Sequence, residues 1–205
     1  FREHSVKRQW QAAADTGNRI LEVKQDASPY HWLVIAPVVA LADNDAAYTD
    51  FCRRITIRFG DETSAERAER VVKACLLRPN AIDVDLIPTE QFVQPLENGA
   101  VADWFAPWGW NTRAFLAYRT GDPEAALRFA SKSIELEPQA IVKALNHCLR
   151  ALALHQLGES HEAHEASAAA KRLMQELRST NVSDDLNILI IELLTAEFAA
   201  AIDDE

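Results

Sequence analysis

Apolar residues recur through most of this chain at the three- and four-residue spacing of a helix face, with Gly, Pro, Ser and Asp between the runs. Residues 2 to 25 place Val6, Trp10, Ala13, Ala14, Ile20 and Leu21 among charged positions, which predicts an amphipathic helix, either continuous or broken at Gly17. Ser28-Pro29 supplies an N-cap and a first-position proline for a second helix to about Ala42, apolar on every side and so interior. Asp43-Asn44-Asp45 turns into a third, with Tyr48, Phe51, Cys52, Ile55 and Phe59 on one face, Arg53, Arg54 and Arg58 largely off it, and Gly60 as its stop. Thr63 and Glu66 have capping-box spacing before the stripe Ala68, Val71, Val72, Cys75 and Leu76, which ends at Pro79. From Asn80 to Asn98 the pattern weakens around Pro88 and Pro95, leaving one short helix near Thr89 to Leu96.

The stretch Pro107 to Ala170 then repeats itself. With Gly121 laid over Gly158, Ala114 falls on Ala151, Ala126 on Ala163 and Ser133 on Ala170, all at a shift of 37 residues. In each copy the glycine closes a first helix, its missing Cβ permitting a left-handed cap, and an acidic helix start follows: Asp122-Pro123 in one, Glu159-Ser160 in the other. A last helix from Ser183-Asp184 carries Leu186, Ile188, Leu189, Ile190, Ile191, Leu193, Leu194 and Phe198, apolar all round for two turns. The end of a helical array needs a polar outer face, so this pattern predicts that the helix meets its own array on one side and a second subunit or a further repeat on the other.

Trp110, Ala114, Gly121, Ala126, Ser133 and Pro138 stand at the signature places of the tetratricopeptide repeat, which this stretch resembles. The second copy keeps Ala151, Gly158, Ala163 and Ala170, with His147 at the aromatic place and Gln175 at the proline place. A wider likeness runs from residue 32 to about 177. The order W-L-x-x-A-P, C-R-R, R-F-G-D and A-E-R-x-x-K-A-C-L-L-x-P, read between Trp32 and Pro79, looks like the repeat regions of large planctomycete-type proteins, among them bacterial serine/threonine protein kinases and related proteins. The resemblance implies an all-α fold, antiparallel helix pairs stacked as a short tetratricopeptide-like α-solenoid (an α-α superhelix), irregular in its N-terminal half. The expected organisation is a lead-in helix over 1–27, irregular helical repeats over 28–100, and tetratricopeptide-like repeats with a C-terminal capping helix over 101–205.

Composition narrows the partners. With 48% apolar residues the chain buries a core, and a net charge of -10 argues against nucleic acid, whose affinity comes largely from Lys and Arg displacing condensed cations. A neutral or basic protein or peptide is the expected partner. The longest apolar run, Trp32 to Ala42, has 11 residues and contains Pro37, too short to insert in a membrane. Cys52, Cys75 and Cys148 lie in apolar helical patterns without metal or redox spacing, which reads as buried thiols in a reducing, cytoplasmic compartment. The chain begins at Phe1 without a signal-peptide pattern and is expected to be a piece of something longer, whose membrane anchor, if it has one, lies outside this segment.

No catalytic constellation emerges. His161 and His164 are three apart, whereas a zinc-protease helix needs two histidines four apart, so His155, His161 and His164 with Glu162 and Glu165 read as a solvated face. Glycine-rich nucleotide loop, His-Arg-Asp and Asp-Phe-Gly motifs are all missing, and Phe59-Gly60-Asp61 has the last one's letters in the wrong order. The expectation is a non-enzyme without cofactor or metal: a protein-protein interaction or scaffold module of a kinase-related bacterial protein. The resemblance assigns the inner groove to the first helix of each unit, giving Trp108, Asn111, Thr112, Phe115, Tyr118 and Arg119 in copy one and His155 and Gln156 in copy two. Leu145, Cys148, Leu149 and Leu152 of copy two are expected to be covered. Two rivals stand beside this reading: a small-molecule-binding or enzymatic helical domain with a pocket formed by Trp104, Trp108, Trp110, His155 and a nearby carboxylate, and a structural spacer that forms a homodimer through residues 184–202.

Overall fold

A computed structural model describes residues 8–179 and 186–203, and every described element is helical. The helices are α1 (Trp10–Val23), α2 (Pro29–Leu41), α3 (Asp45–Phe59), α4 (Ala65–Cys75), a 3-10 turn at Val84–Leu86, α5 (Glu90–Glu97), α6 (Ala106–Arg119), α7 (Pro123–Glu135), α8 (Ala140–Gln156), α9 (Ser160–Ser179) and α10 (Leu186–Asp203). Neighbouring helices pack as antiparallel pairs, the all-α solenoid-like class the sequence implies. The chain divides into two compact units between Pro95 and Leu96, within α5.

In the first unit α2 is the central helix. Trp32, Leu33, Ile35, Ala36, Val38, Val39 and Ala40 are all buried, as an all-round apolar helix requires. Helix α1 runs unbroken through Gly17, which is itself buried, and packs on α2. Tyr48 ties α3 to the end of α4, its hydroxyl donating to the Ala74 carbonyl at 2.6 Å and accepting from the Leu77 amide at 3.0 Å. Helix α4 starts one residue later than the spacing of Thr63 and Glu66 predicts. Ser64 is its N-cap, and Glu66 accepts from the Ser64 hydroxyl at 2.8 Å. The Ser28-Pro29 start is as expected, with His31 closing the box on the Ser28 backbone.

In the second unit α6, α7, α8 and α9 stack in sequence, each on the next, with α6 also touching α8. That is the contact pattern of two successive helix pairs. The 37-residue correspondence survives in the backbone. Gly121 and Gly158 both have φ +78, and the amides of Asp122 and Glu159 reach back five residues to Ala117 and Leu154 at 3.0 and 2.9 Å. Each turn thus satisfies carbonyls that a helix end leaves unpaired. The aligned small residues are the crossing points: Ala114, Ala151, Ala126, Ala163, Ser133 and Ala170 are at most 1% exposed. Asp122 caps α7 by accepting from the Ala125 amide at 2.9 Å. The start expected at Ser183-Asp184 lies outside the described residues. Helix α10 packs mainly on α8 and only lightly on α9, burying Ile188, Ile190, Ile191, Leu194 and Phe198.

Candidate functional site

The residues assigned to the groove sort into two groups. Asn111, Thr112 and Phe115 are at most 2% exposed, and Asn111 belongs to a buried polar chain. Its side-chain amide donates to Asn146 Oδ1 at 2.9 Å; Asn146 Nδ2 donates to the Ser133 hydroxyl at 2.7 Å; and that hydroxyl donates to the Pro107 carbonyl at 2.7 Å. Three helices are joined by bonds that water cannot reach, so Asn111 fixes how α6, α7 and α8 sit together. Trp108 is half-buried and Gln156 exposed.

Tyr118, Arg119 and His155 form the second group, and all three meet α10. The Arg119 guanidinium grips the Glu197 carboxylate in a two-pronged pair, Nη1 to Oε1 at 2.5 Å and Nη2 to Oε2 at 2.7 Å. The Tyr118 hydroxyl donates to Oε1 at 2.9 Å. Arg119 is only 6% exposed in its side chain, which strengthens the pair relative to a solvated one. Burial, followed by the adjacent carboxylate, pushes the Tyr118 hydroxyl well above its ordinary pKa, so it stays a donor. Four residues of α8 beside this clamp, Leu145, Cys148, Leu149 and Leu152, are buried, and Cys148 Sγ lies 3.8 Å from Thr195 Oγ1 of α10. Burial raises that thiol to about 12, leaving it protonated and unreactive.

Next to Glu197 on α10, Phe198 sits between His155 and His164, both rings edge-on at 6.0 and 5.9 Å. Of the histidines expected on a solvated face, His161 and His164 are exposed and His155 is half-buried; His155 and His164 flank the Phe198 ring. Among the described residues no group of three His, Cys, Asp or Glu is placed to hold a metal ion. His147, at the aromatic place of copy two, is half-buried with Nδ1 unpartnered among the described residues, and burial and then Arg150 and Arg172 lower its pKa.

The tryptophans play different parts. Trp110 is buried, stacked on Phe129 at 5.5 Å with the Lys132 ammonium 3.7 Å from its ring centre. Trp104 is 62% exposed, edge-on to Phe105.

Glu197, which completes the clamp, was not among the residues the pattern singled out. Its signal is present all the same: Glu192 and Glu197 are acids inside an otherwise apolar helix, and an acid among apolar neighbours needs a partner. No described helix is long and apolar enough to cross a membrane. No family model, curated protein or solved structure matches this chain.

Proposed function

We propose that this chain is a non-catalytic protein-protein interaction module whose working face is formed by α6 and α8. The observation that supports it most is the grip on α10: a helix held by an arginine-tyrosine clamp at Arg119 and Tyr118, an apolar bed on α8, and His155 against Phe198. A surface that orders one helix in this way has the parts for recognising helices in general: a charged anchor that fixes register and an apolar strip that supplies affinity. The likeness to tetratricopeptide repeats agrees with that use, and the likeness to kinase-related bacterial proteins suggests a scaffold that brings other proteins to a kinase.

The test is site-directed photo-crosslinking in an extract of the source organism. p-Benzoylphenylalanine in place of Gln156, an exposed position that follows His155 at the end of α8, is expected to trap one discrete protein. The same group in place of Glu162, exposed on α9, serves as the reference and is expected to trap none. Equal adducts from both positions, or none from either, would favour a structural spacer.

A further inference from the structure

Helix α10 carries three acidic residues, Glu192, Glu197 and Asp203, and no basic one. Two of them are read by arginines on different helices. Glu197 meets Arg119 of α6, and Glu192 meets Arg178 of α9 at 2.5 Å. The Arg178 side chain is 44% exposed against 6% for Arg119, so the Glu197 pair dominates and the Glu192 pair mainly sets register. Between and beyond the two acids, Leu194 and Phe198 are buried and Thr195 lies against Cys148. The face therefore selects a short pattern: two carboxylates five residues apart on a helix, with apolar residues on the same side.

The seating of α10 is incomplete. A cleft of about 410 Å³ remains on its α9 side, lined by His164, Ser167 and Lys171 of α9 and by Thr195, Phe198 and Ile202 of α10. A helix continuing the stack would close on α9 as α8 closes on α7; α10 instead lies on α8 and leaves that gap.

We propose, on the basis of the interaction reading above, that the face of α6 and α8, with Arg178 of α9 at its edge, is a receptor for a carboxylate-bearing amphipathic helix of another protein, and that α10 is the built-in competitor for it. With a net charge of -10, two copies of the chain repel one another, so the favoured source is a neutral or basic protein that carries the two acids locally rather than a second copy. Binding in trans displaces α10, and the Arg119 clamp passes from Glu197 to the incoming carboxylate.

The experiment uses the full chain, its Glu197→Gln variant and a fluorescent synthetic peptide of sequence 186–203 as the probe. Opening is read by alkylation of Cys148, which α10 covers, with Cys52 and Cys75 of the first unit as references in the same molecule. Loss of one charge-assisted pair corresponds to about a tenfold change in the opening equilibrium. Glu197→Gln is expected to speed Cys148 labelling by about that factor, leave Cys52 and Cys75 unchanged, and bind the peptide about tenfold more tightly than the wild type. A peptide with both glutamates replaced by glutamine is expected not to bind. Arg119→Lys, which keeps the charge and loses the two-pronged geometry, is the second variant; it is expected to open α10 and still reject the peptide. Unchanged Cys148 labelling in both variants, or equal binding of the glutamine peptide, would overturn the proposal. So would a shift of the Glu197→Gln chain to a dimer in light scattering, which makes a second copy the occupant. A failure here beside a discrete adduct from position 156 removes the competitor helix and keeps the interaction module; failure of both removes the module.

Discussion

Arg119 and Glu197, 78 positions apart, join α6 to α10 with two parallel hydrogen bonds of 2.5 and 2.7 Å. A residue assigned to partner binding is thereby engaged by the chain's own last helix. Replacing Arg119 with Ala removes both guanidinium bonds and leaves the Glu197 carboxylate with the Tyr118 hydroxyl as its donor, a cost of about 2 kcal/mol for a partly buried pair. Hydrogen exchange is expected to show the loss confined to α10, with amides in α6 to α9 retaining their protection.

The Asn111, Asn146, Ser133 and Pro107 chain makes a stronger demand. Asn146→Ala strands the Asn111 amide and removes a donor from Ser133 in a place without water, at about 3 kcal/mol. Asn111→Ala is expected to cost about 2 kcal/mol, and the double variant less than the sum, because the two side chains share one bond. Urea unfolding of the singles and the double measures this; additive losses would mean that the network is not coupled.

Gly121 and Gly158 predict a matched pair of effects. Both sit at φ +78 with no heavy atom within 4 Å of the position a Cβ would take, so alanine there meets no clash and bears only the left-handed backbone penalty of about 1 kcal/mol. Thermal unfolding is expected to show nearly equal losses for the two variants. A cost at one site several times that at the other would contradict their equivalence.

His147 gives the fold a pH dependence of definite sign. Its pKa is lowered in the folded chain by burial and by Arg150 and Arg172, so the unfolded chain takes up the proton first as pH falls. The contribution is fully present above the unfolded value of about 6.5 and is lost as pH falls through the folded one. Stability is therefore expected to decline below about pH 6.5, and His147→Gln to flatten that part of the profile; an unchanged slope would remove the assignment.

The thiols are expected to be silent. Cys52, Cys75 and Cys148 are all buried, and Cys148 is held protonated with a pKa of about 12. Ellman's reagent at pH 8 is expected to react with none of them in the folded wild-type chain within minutes and with all of them in denaturant.

Local sequence determined a great deal of this protein. The spacing of Tyr48, Phe51, Cys52 and Ile55 marks a buried helix face, Asp122-Pro123 starts α7, and the 37-residue offset of Gly121 and Gly158 marks two equivalent turns. Each is legible because it depends on neighbours within a turn or two: helix periodicity, caps and left-handed closures are local. What Gly17 does was not legible in the same way, because packing of α1 on α2 overrides a single glycine's weak preference against the helix interior.

Tertiary structure decided the use of the polar residues. Asn111 and Arg119 lie two turns apart on one helix and look alike as groove candidates, yet one is locked in the core by Asn146 and the other meets a carboxylate from α10. Their partners lie 35 and 78 positions away, distances at which no periodicity carries information. Sequence settles which segments are helices and which faces are apolar, since those follow from short-range chemistry. Only the packed chain settles which polar group faces which, because a buried donor takes whatever acceptor the fold delivers to it.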